Sequence, residues 1–132
     1  MVMFTHIKTS KENRELVSKL TRKLNLGTEN IIARIAYSYS LAQGRFLTLS
    51  DIKNSQGKEY SKAVLFGNNL PYYISLVCVH YGLYKSDKDI PKFIKMHIDD
   101  GLELIHKELE ENPNLDGFDY IIDKIDNGLK SI

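Results

Sequence analysis

The chain has 132 residues, 42% apolar and 27% charged, and its net charge of +1 divides into +6 over residues 1–62 and −5 over residues 63–132. One domain of this length buries a single core without staples, no apolar run approaches the ~20 residues of a membrane span, and a lone Cys78 excludes an intrachain disulfide framework. Residues 1–7 lack the basic start and long apolar stretch of a secretory signal, so the expected location is cytoplasmic.

MFTHIKTS (residues 3–10) is the one good strand candidate. The stretch 9–27, TSKENRELVSKLTRKLNLG, reads as a helix. Thr9 and Glu12 have capping-box spacing, Leu16, Val17, Leu20 and Leu24 mark a buried stripe, and Gly27 suits a left-handed stop. Lys11, Arg14, Lys19, Arg22 and Lys23 fall largely outside that stripe. Thr28 is then expected to cap a helix over ENIIARIAYSYSLAQG, closed by Gly44. This helix is apolar almost all round, as a buried helix is, and Arg34 is its one cation. Arg34 is expected to pair with a carboxylate, Asp51 or Glu29, and pin two helices; the other reading gives it a DNA phosphate or an oligomer partner. Arg34, Tyr37, Ser38 and Leu41 lie along the least apolar side, and Ala33 and Ala36 permit close approach of another backbone.

Residues 45–62 read as a connector with Asn-Ser and Gln-Gly turns, carrying Arg45, Lys53, Lys58 and Lys62. LPYYISLVCVHYGLY (70–84) reads as a buried helix with Pro71 in its first turn. A long amphipathic helix follows, with Asp89 as cap, Pro91 near the start, and apolar residues at three- and four-residue spacing from Ile90 to Leu109; Asn112-Pro113 ends it. A last helix spans 118–129. The expectation is an all-α single domain over 1–132, of about five helices with a short N-terminal strand, in which 108–132 form an acidic helical extension. A ribbon-helix-helix-like N-terminal part, whose strand pairs with a second subunit's to enter the major groove, is the alternative.

Candidate catalytic motifs fail one by one. Gly57-Lys58 resembles a phosphate-binding loop, but Ile52 stands where the first glycine belongs and Glu59 replaces the Ser or Thr. Glu103 and His106 form one Glu-x-x-His unit of the kind di-iron bundles use in pairs. His6, His80 and His97 follow Met3, Val77 and Ile94 and give no second unit, so no metal site is expected. Cys78 sits between two valines, as a structural thiol does. Asp99 and Asp100 diverge by about 100° around a helix, which suits paired acid–base work poorly. The turn 27–30 offers a helix start of the kind that binds phosphate, but Glu29 opposes an anion there. What remains is the basic first half. Lys11, Arg14, Arg22, Lys23, Arg45, Lys53, Lys58 and Lys62 are the candidate polyanion contacts.

Residues 9–44, GKEYSKAVLFG (57–67) and DIPKFIKMHIDDGLELI (89–105) together resemble the DndE family of the bacterial DNA phosphorothioation system, over about residues 4–107. The resemblance implies a non-catalytic DNA-binding subunit that prefers nicked duplex and forms oligomers. It also implies partners: a cysteine desulfurase, an iron–sulfur sulfurtransferase and an ATPase. No cofactor is expected, since cluster ligation uses several cysteines. The alternative function is an interaction scaffold whose basic face docks acidic proteins. Homo-oligomerisation also follows from the residues, because two helices, 31–43 and 72–84, are apolar around most of their surface and a chain this small hides two such helices with difficulty.

Overall fold

The computed structural model describes residues 4–130. Met3, the first residue of the expected strand, lies outside them. The elements in chain order are β1 (His6–Lys8), α1 (Lys11–Leu24), α2 (Glu29–Ala42), β2 (Glu59–Ser61), α3 (Lys62–Phe66), α4 (Leu70–Tyr81), α5 (Ile90–Glu111) and α6 (Gly117–Lys130). Short 3-10 turns occupy Leu49–Asp51 and Gly67–Asn69. The fold is the expected mainly helical single domain, with five helices of 12 residues or more and the five-residue α3. Among the described residues no helix is long and apolar enough to cross a membrane.

The core lies between α2 and α5. Ile32, Ala33, Ala36 and Tyr37 of α2 meet Ile94, Ile98, Leu102 and Ile105 of α5, all fully buried. Each buried isoleucine or leucine side chain contributes about 1.5–3 kcal/mol. The close approach foreseen for Ala36 is made by Gly101 of α5. Tyr37, expected on the least apolar side, is wholly buried, and its hydroxyl donates to the Tyr73 carbonyl.

Several local expectations are corrected. Thr9 and Glu12 form no capping box: the N-cap is Ser10, and the Thr9 hydroxyl donates to the Lys58 carbonyl at 3.1 Å. The start of α1 is secured from α5 instead, where Asp99 accepts from the Ser10 N–H at 3.0 Å and from the Asn13 amide at 2.7 Å. The left-handed residue that ends α1 is Asn25, not Gly27. The connector 45–62 is partly structured. β2 pairs with β1 in antiparallel register, Ile7 opposite Tyr60, both facing the core. That intrachain pairing replaces the two-subunit ribbon of the ribbon-helix-helix alternative. Thr28, Asp89 and Asn112 stand at the helix boundaries where the sequence places them.

α4 is only half the buried helix expected. Ile74 and Val77 enter the core, whereas Tyr72 and Val79 are 74% and 84% exposed, with Leu76 between them on the same outer stripe. Burial of the inner side is enough for α2, not for α4.

Candidate nucleic-acid interface

The outer face of α1 brings together Lys11, Arg14, Lys19 and Arg22, all exposed, because Asn13, Val17, Leu20 and Leu24 turn the opposite face into the core. Among the described residues none of these four cations, nor Lys62 at the start of α3, has a carboxylate within 4.0 Å. Lys23 is exposed one turn further on and donates to the Pro113 carbonyl at 2.6 Å. Glu12 and Glu15 share the helix and leave it three positive charges in excess. Arg14, Lys19 and Arg22, with His106 of α5, line a shallow groove of about 710 Å³.

The other expected cations are neutralised within the chain. Arg45 makes a two-point pair with Asp100, Nε to Oδ2 at 2.8 Å and Nη2 to Oδ1 at 2.9 Å. Lys53 pairs with Glu103. Lys58 lies 3.6 Å from Glu29. The structure therefore gathers Lys11, Arg14 and Arg22 on one face and ties Arg45, Lys53 and Lys58 to acids elsewhere. Lys19, absent from the candidate set, joins the first group; its position outside the apolar stripe is the sequence signal that places it there.

Gly57 and Lys58 hold backbone together and cradle no phosphate. A Cβ on Gly57 would stand 2.0 Å from the Ser10 carbonyl oxygen, while the Gly57 N–H donates to Thr9 and the Lys58 carbonyl accepts from the Thr9 N–H. Arg34 meets neither Asp51 nor Glu29. Its Nε donates to the Leu65 carbonyl at 2.7 Å and its Nη2 to Val64 at 3.4 Å. The guanidinium thus satisfies the open carbonyls of the last turn of α3, where positive charge is favoured.

Ser40, His97 and Asp100 meet in the structure, although their spacing gave no hint of it. The Ser40 hydroxyl is 2.6 Å from Asp100 Oδ2 and 2.7 Å from His97 Nδ1, and Tyr81 is 2.6 Å from His97 Nε2. The carboxylate only accepts, so Ser40 gives its single proton to Asp100 and accepts from His97 Nδ1–H; bare Nε2 then accepts from Tyr81, whose oxygen takes the Leu47 N–H. A nucleophilic serine donates to its histidine; here the protons run the opposite way, and Ser40 and His97 are fully buried. Burial, reinforced by nearby His80, lowers the His97 pKa to about 4. The chain of bonds holds residues 45–47 against α4 and α5. Burial also raises the Cys78 thiol above its ordinary range, away from the reactive thiolate. Glu103 and His106 turn to different partners, Lys53 and Glu110, and among the described residues no group of three His, Cys, Asp or Glu is placed to hold a metal ion.

No curated protein matches the chain significantly. Solved structures share the fold, two of DndE among them. DndE from Escherichia coli B7A, involved in DNA phosphorothioation modification, aligns with a TM-score of 0.63 at 20% identity over 80% of this chain and 99% of that one. A DndE variant with two glycine-to-lysine substitutions, also involved in DNA phosphorothioation, aligns at 0.65 and 21% over the same shares. The family model described as DNA sulphur modification protein DndE matches residues 6–113, which take in every element from β1 to α5, and the chain belongs to the DndE family.

Proposed function

We propose that this chain is a non-catalytic, cytoplasmic DNA-binding subunit of a phosphorothioation system, holding duplex, with a preference for nicked duplex, for sulfurtransferase, ATPase and cysteine desulfurase partners. The observation that carries the reading is the row of cations on α1 that has no carboxylate within 4.0 Å among the described residues. Positive charges left unpaired by their own chain are available to phosphates; those already held by acids must first give up a partner. The DNA contacts are therefore assigned first to Lys11, Arg14, Lys19, Arg22, Lys23 and Lys62, and only secondarily to Arg45, Lys53 and Lys58.

The exposed stripe of Tyr72, Leu76 and Val79 supports a closed homo-oligomer through α4. Oligomerisation repeats the α1 face, so several weak patches grip one duplex together. The test is anisotropy of labelled intact, nicked and single-stranded DNA over a salt series, with heparin as polyanion control. A steep fall of log K with log salt and tighter binding of nicked duplex are expected. A flat salt dependence, or equal affinity for heparin and every DNA form, overturns the reading in favour of a scaffold that docks acidic proteins.

A further inference from the structure

α6 lies beyond residues 6–113, the span matched to the family. Its inner side is committed to the domain. Tyr120 is buried, and Glu108 accepts from Tyr120 at 2.9 Å, pairs with Lys124 at 2.9 Å and accepts from Tyr39 of α2. Its outer side carries Phe118, Ile122, Ile125 and Leu129, exposed by 72, 50, 55 and 65%. They alternate at four, three and four residues, the rhythm of a coiled-coil seam, and fall within about 60° of one another at 100° per residue. Exposed Asp119 and Asp123 border this seam, with no cation within 4.0 Å among the described residues, and Asp126 continues the row but is paired with Lys130. The whole segment 108–132 holds seven carboxylates and two lysines.

We propose that the outer seam of α6 docks a basic amphipathic helix of a partner protein. Apolar residues of that helix fill the line from Phe118 to Leu129, and its Lys or Arg side chains meet the aspartate row. Charge selects this occupant. A second copy of α6 has no cation to offer, because Lys124 is paired with Glu108 and Lys130 with Asp126 at 2.9 Å. Antiparallel pairing of two copies would also set acidic row against acidic row. An anionic lipid surface is repelled by the same row. The seam residues lie on α6 and include none of the α1 cations, so this inference does not rest on the DNA-binding reading.

The probes are two synthetic amphipathic peptides of about three heptads with leucine at the seam positions, one bordered by lysine and one by glutamate. Anisotropy with the full chain is expected to show the lysine peptide binding at least about tenfold more tightly. Ile122→Asp with Ile125→Asp, both at exposed positions, should weaken it about tenfold or more with unchanged circular dichroism. Asp119→Asn with Asp123→Asn, the two aspartates of the row without a cation partner among the described residues, should bring the two peptides close to equal affinity. Equal binding by the unmodified chain, or lysine-peptide binding that survives the seam variant, overturns the proposal. So does a light-scattering mass that falls in the seam variant, which assigns the seam to a second copy, or sedimentation of the chain with phosphatidylcholine vesicles, which assigns it to lipid.

Discussion

A β-carbon built on Gly101 would lie 1.9 Å from the carbonyl oxygen of Ala36. The two central helices meet backbone to backbone there, and no rotamer change relieves the clash, since the opposing atom is main chain. Gly101→Ala must push α2 and α5 apart through a core of fully buried residues. The expected loss is about 3 kcal/mol or more, at the upper end of overpacking costs. A urea titration should show the midpoint falling with the slope unchanged; a midpoint equal to that of the parent chain contradicts the close packing.

His97 makes folding sensitive to acid. Its folded-state pKa of about 4 lies below the ordinary histidine value of 6.5, so the unfolded chain binds more protons between those values. Stability is fully present above pH 6.5 and falls as pH drops toward 4, by about 3 kcal/mol over the window. His97→Gln should flatten the stability profile between pH 6.5 and 4. Denaturant midpoints measured across that range check it, and an NMR titration midpoint near 6.5 for the His97 ring itself contradicts it.

Cations on α1 and cations held by acids should behave differently toward DNA. Arg14→Glu, Lys19→Glu and Arg22→Glu together should weaken binding for all sequences and reduce the salt slope by about 3. Arg45→Ala and Lys53→Ala should change the slope by less than about 1, and Arg45→Ala should also destabilise the fold by leaving Asp100 unpaired. The opposite ranking in a salt titration would move the DNA to the Asp100 side of the molecule.

Assembly through α4 is tested at Val79. Val79→Asp places a charge on an exposed position and should leave helicity intact while dissociating the oligomer to a mass near 15.2 kDa. The unmodified chain should scatter as a multiple of that mass at micromolar concentration. An unmodified chain that is already monomeric rejects the interface.

Arg34→Ala removes the side-chain donor to the Leu65 carbonyl and leaves the Val64 carbonyl to Asn30 Nδ2 at 3.0 Å. The expected cost is about 1–3 kcal/mol of stability, with DNA affinity unchanged at temperatures where the variant is folded. A loss of affinity in a variant as stable as the parent would make Arg34 a DNA contact.

Periodicity located the long helices because their apolar residues recur at helical spacing, and the boundary residues Thr28 and Asp89 were legible for the same local reason. α3 was not, because five residues are too few to display a period; its signal is the Ser61 side chain accepting from the Val64 N–H at 3.2 Å. β2 hid in a turn-rich stretch, and its identity as a strand depends on β1, some fifty residues earlier. Composition identified the basic half, but which of its cations remain unpaired depends on pairs such as Arg45–Asp100 and Lys53–Glu103, formed between distant segments. The same distance hid the Ser40–His97–Tyr81 chain. The sequence leaves Arg34 between a pin to a carboxylate and a contact to DNA or an oligomer partner, and its carbonyl partners on α3 were not legible, since unsatisfied carbonyls of a short helix leave no mark in the sequence.

Asp99 secures the start of α1 across 89 residues of chain. During synthesis the basic helix leaves the ribosome long before the carboxylate that completes it. β1 likewise waits for β2, and α2 for α5. The nascent chain therefore cannot bank its first elements as a finished unit, and the domain closes in one late step once α5 has emerged. Translation cut short before Asp99 leaves a fragment in which Ser10 and Asn13 lack their carboxylate partner and Leu102, Ile105 and Leu109 are missing from the core, a substrate for chaperones and proteases.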